Sequence, residues 1–413
     1  MNNTRVVITG TGMISSVGNS VAESWDSLIN GKSGIGPITN FNAEGFRTQI
    51  AGEVKNLDML QYMDRKEVRR QDPFCQYAIA ASEEAVQQAN LDFESLNLER
   101  IGVLIGSGIG GIRALDTASR KLEGRGPGKV SPFTVPMMIG DMASGVLSIR
   151  YGLKGPNIGI VSACASATHA IGEAFWMIKR GDADIMVTGG AEAAADALGV
   201  ASFCAMKAMS ERNDDPQHAS RPFDKERDGF VMSEGAGIII LETLESAQAR
   251  GAEIIAEIAG YGLTGDAGHI TAPDPQGRGA AAAIRMALGH AEMNPEDISY
   301  INAHGTSTPL NDKYETLAIK AALGDYAYKL PISSTKSMTG HGLGAAGGFE
   351  TLICSKVIQT GIVPPTINYE NPDPDCDLDY VPNTAREVKI NTALNINLGF
   401  GGHNGVLILK RFK

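Results

Sequence analysis

Apolar residues fall along this chain in short runs that close in glycine, with stretches of helical spacing between them. Residues 5–13, Arg-Val-Val-Ile-Thr-Gly-Thr-Gly-Met, form a β-rich run ending in glycines, and residues 256–263 repeat the arrangement. Both predict strands that lead into Gly-x-Gly turns. Residues 101–106 and 298–304 predict a second pair of strands, each followed by a loop. Residues 158–161 predict a short buried strand meeting a turn of small residues at 162–165. Beyond that turn Ala167, Ala170, Ile171, Ala174 and Ile178 recur at helical spacing. Its counterpart runs from Pro331 through Lys336 and Gly344 into a helical stretch reaching about residue 359. Three matched pairs in one order predict an internal duplication into two α/β halves, residues 1–250 and 251–413, with spacing too loose for a repeat array. Generic βα units also coincide in this way, so the pairing alone leaves both readings open.

Between the matched elements lie excursions at about residues 30–75, 113–150 and 205–230, the kind of insertion that carries binding on a rigid α/β core. The length of 413 residues with 43% hydrophobic content is enough for two or three domain-sized units. A net charge of −11 gives no sign of a general nucleic-acid binder, and none is expected as a partner. Cys75, Cys164, Cys204, Cys354 and Cys376 are odd in number and widely spaced. That argues against a disulfide framework or a zinc site and fits a reducing cytoplasm. The chain shows no basic leader and no apolar run of membrane-spanning length, so a soluble cytoplasmic protein that does not engage a membrane is expected.

Cys164 sits where the strand at 158–161 turns into a helix, with small neighbours leaving its sulfur accessible. A helix N-terminus favours thiolate over thiol, as a cysteine nucleophile requires. A buried core cysteine is the competing reading. His304 (Ala-His-Gly-Thr-Ser-Thr) and His341 (Lys-Ser-Met-Thr-Gly-His-Gly) both lie in loops after predicted strands, flanked by small residues that let the imidazoles enter a site. Neither belongs to a metal-ligand pattern, and no metal is expected. His169, one turn past Cys164, reads as an ordinary helix residue. Residues 394–404, Leu-Asn-Ile-Asn-Leu-Gly-Phe-Gly-Gly-His-Asn, form a strand ending in a glycine-dense turn. Such a turn either brings a backbone N–H to an oxyanion or closes an ordinary hairpin.

Taken together, Cys164 in Ala-Cys-Ala-Ser-Ala, His304 and His341 in their motifs, Lys336, residues 399–402 (Gly-Phe-Gly-Gly) and residues 221–230 (Arg-Pro-Phe-Asp-Lys-Glu-Arg-Asp-Gly-Phe) resemble the elongating β-ketoacyl-acyl-carrier-protein synthases over essentially the whole chain, most closely the synthase II branch. The resemblance implies a thiolase-like α/β fold of two duplicated halves in five αβαβα layers, assembled as a homodimer. It implies decarboxylating Claisen condensation: an acyl group passes to Cys164, and malonyl-carrier protein loses CO2 and attacks the thioester. On that basis Cys164 is the nucleophile, and its N–H with that of Phe400 forms the oxyanion hole. His304 and His341 stabilise the enolate, Lys336 fixes His341 and the local field, and Phe400 also gates the cysteine. Thr306 and Thr308 meet the pantetheine, and Ile109 and Phe203 line the acyl pocket. No cofactor is implied beyond the phosphopantetheine of the carrier protein.

An acidic carrier protein approaching an acidic chain requires a local basic surface. Arg65, Lys66, Arg69 and Arg70 offer one patch, with Arg125, Lys129 and Lys207 as further candidates. A solvated helix face is the alternative, although Arg65 and Arg69 repel one another at i,i+4. Among rival activities, a thiolase requires a second cysteine where this chain has His341. The initiating synthases use one histidine and an asparagine. A stand-alone polyketide ketosynthase shares every motif. A non-catalytic chain-length-factor-like partner lacks the nucleophile that Cys164 supplies here.

Overall fold

The apolar runs become strands of a single ten-stranded sheet in the computed structural model, which describes residues 4–413. In chain order they are β1 Val6–Ile14, β2 Ile101–Gly106, β3 Asn157–Ile160, β4 Ile185–Glu192 and β5 Gly235–Thr243. The second five are β6 Ala256–Gly265, β7 Tyr300–Asn302, β8 Ile332–Ser333, β9 Thr392–Gly399 and β10 His403–Lys410. Across the sheet the order is β8-β7-β9-β10-β6-β1-β5-β4-β2-β3. Outward from the β1–β6 seam, β1-β5-β4-β2-β3 on one side is matched by β6-β10-β9-β7-β8 on the other, the same order displaced by five strands. The seam is short and antiparallel, pairing Val6 with Ile258 and Ile8 with Ala256. In each half the outer three strands run parallel.

Helices cover both faces of the sheet, which is why β1 and β4 are buried along their whole length rather than alternating. Eight helices matter here: α1 Pro73–Ala89, α2 Ile112–Arg125, α3 Met142–Tyr151, α4 Ser166–Arg180, α5 Ala197–Ala205, α6 Arg278–Ala291, α7 Pro309–Leu323 and α8 Ala346–Thr360. Helices α1 and α3 pack on the outer face of the first half, α6 and α7 on that of the second. Between the halves lie α4 and α8, each touching strands of both. The result is the five-layered αβαβα, thiolase-like arrangement. Because sheet covers α8 on more than one side, it is buried without interruption from Ala346 to Ser355 and has no solvent stripe. Small residues allow that approach: a Cβ on Gly348 would lie 2.4 Å from the carbonyl oxygen of Gly237 on β5.

The expectation of a buried strand at residues 158–161 is corrected by this topology. Strand β3 is the open edge of the sheet, and Ile158 and Val161 are 46% and 66% exposed. An apolar run reports what a segment packs on when fully assembled; one side of β3 has no neighbour within this chain. The five cysteines are all free and buried. Among the described residues no helix is long and apolar enough to cross a membrane.

Six loops that follow strand ends converge at one end of the sheet. They carry Ile109 after β2, Cys164 after β3, Glu192 closing β4, His304 after β7, Lys336 and His341 after β8, and Phe400 after β9. Sites in open α/β sheets form at these carboxyl ends.

Candidate active site

The nucleophile is presented by a strained turn. Ala163 adopts φ +50°, a left-handed conformation that few non-glycine residues take, and a single 3-10 turn then delivers Cys164 to the start of α4. Ser166 holds this elbow: its Oγ accepts from the Ser162 N–H at 2.8 Å and donates to the Ala163 carbonyl at 2.7 Å. The β9–β10 turn closes over the elbow, and a Cβ on Gly399 would sit 2.7 Å from the Ser162 carbonyl and 3.2 Å from the Cys164 nitrogen. Only glycine allows that contact. The backbone N–H groups of Phe400 and of Cys164 itself consequently point at the Cys164 sulfur. Two N–H donors beside the sulfur are also within reach of the oxygen of an acyl group attached to it, where an oxyanion hole needs its donors.

Burial of the sulfur works against the thiolate that the helix N-terminus favours. Burial pushes the Cys164 pKa up to about 12, Glu192 adds to the rise, and Lys336 with the two backbone donors only partly offsets it. A helix N-terminus stabilises an anion by ~0.3–1 kcal/mol near a surface. Desolvating a thiolate outweighs that.

His304 and His341 face one another, ring centroids 5.2 Å apart and planes at 86°, and both are almost fully buried. Burial, then the positive charge of Lys336, holds each imidazole well below its usual pKa, so both are neutral. Glu315 shapes the first loop by accepting the N–H groups of His304 at 2.6 Å and Gly305 at 2.8 Å. The His341 loop is pinned through its backbone: its N–H donates to the Val231 carbonyl at 2.7 Å, and its carbonyl accepts from Ser233 at 2.9 Å. Phe230 packs against the His341 ring, centroids 5.4 Å apart.

Lys336 is buried rather than a surface lysine, and its Nζ pairs with Glu350 of α8. The other Glu350 oxygen accepts from Asn397 Nδ2 at 2.7 Å, and that nitrogen lies 3.5 Å from His304 Nδ1. The hydrogen-bonded chain from Lys336 therefore runs to His304; what Lys336 supplies to His341 is charge. With Nδ1 facing an N–H donor, His304 carries its proton on Nε2.

Cys164, His304, His341, Phe400, Thr306 and Ile109 all line one cavity of about 560 Å³. Thr308 and Phe203 line it as well, and Phe203 lies 6.4 Å from the Phe400 ring. The Thr306 and Thr308 hydroxyls are 3.0 Å apart. Of the basic candidates, Lys207 reaches the cavity rim. Arg65, Lys66, Arg69, Arg70, Arg125 and Lys129 are exposed away from it, with Arg70 over the Phe133 ring at 4.4 Å. His169 does lie within α4, donating from Nε2 to the Asn404 carbonyl at 3.3 Å and meeting Ser162 Oγ through Nδ1 at 2.7 Å.

Residues 3–247 match the N-terminal domain of the β-ketoacyl synthases, and residues 255–370 match the C-terminal domain. The chain belongs to the β-ketoacyl synthase family. This synthase is 54% identical over 409 residues to 3-oxoacyl-[acyl-carrier-protein] synthase 2 of Synechocystis sp., covering 99% of this chain and 98% of the relative. Among solved structures it is similar to a β-ketoacyl synthase from Burkholderia phymatum, at 34% identity and TM-score 0.92, over 99% of this chain and 100% of that one. It is similar at 38% identity and TM-score 0.92, over the same shares, to the ketosynthase of a type II polyketide synthase solved with its acyl-carrier protein. The resemblance drawn from the motifs is thus the family the chain belongs to, and the synthase is a condensing enzyme of the acyltransferase type.

Four buried polar residues of this synthase escaped the sequence reading: Glu192, Glu315, Glu350 and Asn397. Their signal was a polar residue in a run otherwise small or apolar, such as Glu350 in Ala-Gly-Gly-Phe-Glu-Thr-Leu-Ile or the alternating asparagines of Leu-Asn-Ile-Asn-Leu. Burying such groups costs several kcal/mol unless they are partnered. A lone polar residue in an apolar run therefore points to a specific partner elsewhere in the chain.

Proposed function

We propose that this synthase extends fatty acyl chains by condensing an acyl group held on Cys164 with malonyl-carrier protein, giving 3-oxoacyl-carrier protein and CO2. In the first half-reaction the Cys164 sulfur loses its proton and attacks the acyl thioester carbon. The carbonyl oxygen gains charge against the N–H groups of Cys164 and Phe400, and the carrier's pantetheine thiol leaves with a proton. In the second, the bond from the malonyl methylene to its carboxylate breaks. The electron pair passes to an enolate whose oxygen His304 and His341, as neutral N–H donors, stabilise. The enolate carbon then attacks the Cys164 thioester, and the cysteine sulfur departs as a thiolate that takes up a proton from solvent to regain its resting thiol. The observation that carries this reading is one cavity holding both sets of donors: backbone N–H groups on the sulfur and two buried neutral imidazoles opposite each other.

Thr306 and Thr308 are the pantetheine contacts in this reading, and Ile109 with Phe203 bounds the acyl chain. The partner is an acyl carrier protein, received at the basic residues around Lys207 and at the Arg65–Arg70 patch. A homodimer across the open β3 edge is supported by the exposure of Ile149, Ile158 and Val161 there. Sedimentation giving the mass of one chain would remove the dimer. Residues 1–250 and 251–413 are the two halves, a division supported by the repeated strand order.

The test is intact-protein mass after incubation with long-chain acyl-carrier protein, using Cys164→Ala as control. The expected result is an acyl-sized gain that requires Cys164 and disappears when malonyl-carrier protein is added. No gain from any carrier-borne acyl group would point instead to a non-catalytic partner, and gain only from acetyl-coenzyme A to a thiolase.

A further inference from the structure

The turn before α8 copies the turn before α4. Leu343 has φ +47° where Ala163 has φ +50°, and each begins a single 3-10 turn that leads into a fifteen-residue helix. In the first elbow the residue at the tip is Cys164; in the second it is Gly344. The strands that meet them correspond as well. Gly399, the last residue of β9, pairs with the first residue of β10, and Glu192, the last of β4, pairs with the first of β5. Gly399 closes over the Cys164 elbow, and Glu192 closes over the Gly344 elbow. The second elbow therefore presents the same kind of N–H pocket as the first, but its anion is a side chain of the protein itself.

Glu192 is fully buried and accepts four hydrogen bonds. Oε2 takes the N–H groups of Gly108 at 2.7 Å and Gly344 at 3.0 Å; Oε1 takes the Ser107 hydroxyl at 3.1 Å and the Ile109 N–H at 3.3 Å. Ser107 Oγ in turn accepts the Gly110 N–H at 3.0 Å. The whole turn that carries Ile109 is thus built on one carboxylate, directly at three residues and through Ser107 at the fourth. The fit has no slack: a Cβ on Gly344 would meet the Gly108 nitrogen at 2.1 Å. The same carboxylate oxygen binds Gly344, three residues beyond His341.

We infer that Glu192 is the positioning residue of the acyl pocket, setting where the Ile109 wall stands and tying that wall to the loop that bears His341. The inference rests on the condensing function proposed above. An amide at this position cannot fully replace the carboxylate, because three of its four partners are backbone N–H groups and only the Ser107 hydroxyl could accept from the amide NH2. In Glu192→Gln the Ile109 turn loses at least the bond to the Ile109 N–H, and the pocket loses its fixed depth.

The test measures acyl transfer to Cys164 from carrier proteins bearing short, medium and long acyl groups, in the wild-type enzyme and in Glu192→Gln. A residue that only stabilises the fold scales every length equally. The inference predicts that the ratio of kcat/KM between preferred and disfavoured lengths changes by about tenfold, the scale of one or two methylenes of pocket space. Ser107→Ala, which keeps the carboxylate and removes one bond and the relay to Gly110, should move the ratio the same way by less, and carries the test if Glu192→Gln does not fold. An unchanged length ratio in the folded variants overturns the inference. Absence of acyl transfer in the wild-type enzyme would instead overturn the condensing function, which keeps the two failures apart.

Discussion

A cysteine at the first turn of a helix is commonly taken for a ready thiolate, but the balance at Cys164 runs the other way. Raising the thiol from its ordinary 9.0 to about 12 corresponds to about 4 kcal/mol against the anion, more than a helix N-terminus returns. The sulfur therefore stays protonated until an acyl thioester is in place, and the donors around it serve the charge that develops during transfer. The sign follows directly: below its pKa the thiolate fraction grows with every rise in pH. Alkylation of Cys164 by iodoacetamide should accelerate by about tenfold per pH unit across neutral and mildly alkaline solution, with no plateau. A rate that levels off near neutrality would mean a resting thiolate. The histidines show the same logic in reverse, since burial beside Lys336 keeps them as neutral donors. Neutral imidazole still donates an N–H, which is all that stabilising an enolate asks of it.

At the scale of elements, the site depends on how closely the β9–β10 turn lies on the Cys164 elbow. Gly399→Ala adds a Cβ 2.7 Å from the Ser162 carbonyl, both of them backbone-bound and unable to swing aside, so the turn must lift and take the Phe400 N–H with it. Acyl transfer should slow by about 10²-fold, as for loss of one oxyanion donor. The stability cost should stay near ~1–3 kcal/mol, as for other overpacked sites. Single-turnover transfer and urea unfolding measure the two separately, and a variant that loses stability without losing rate would remove the turn from catalysis. This contact also marks how far the sequence could be read. Cys164, His304, His341 and the 399–402 turn were legible because a strand end, a run of small residues and a reactive side chain coincide locally. Helix α4 was legible from its spacing and β1 from its apolar run, since both record burial along a single segment. The Lys336–Glu350–Asn397 chain was not, because its members lie on three elements that only the packing brings together. The exposure of β3 was hidden for the related reason that an apolar run does not say whether its neighbour belongs to the same chain.

The whole molecule carries a charge of −11, yet its proposed partner is also acidic, so association must be a local affair. Arg65, Lys66, Arg69 and Arg70 sit on and beside the short helix Arg65–Val68, exposed, with Arg69 Nε donating to the Arg65 carbonyl rather than to a carboxylate. Among the described residues none of these four forms a salt bridge, in a chain where most surface arginines do. Positive charge held in no salt bridge, with only Asp64 acting on Lys66 and Arg70, is available to a partner. Arg69→Glu with Arg70→Glu should therefore raise KM for carrier-borne acyl groups by about tenfold at low salt, with kcat little changed because the cavity lies elsewhere. The effect should shrink as added salt shortens the screening length toward ~8 Å. Substrates carried on free pantetheine report on the cavity alone and should respond to neither the charge reversal nor the salt. If the pantetheine-borne substrate suffers equally, the two arginines act through the fold, and the carrier must dock on the Lys207 side of the cavity instead.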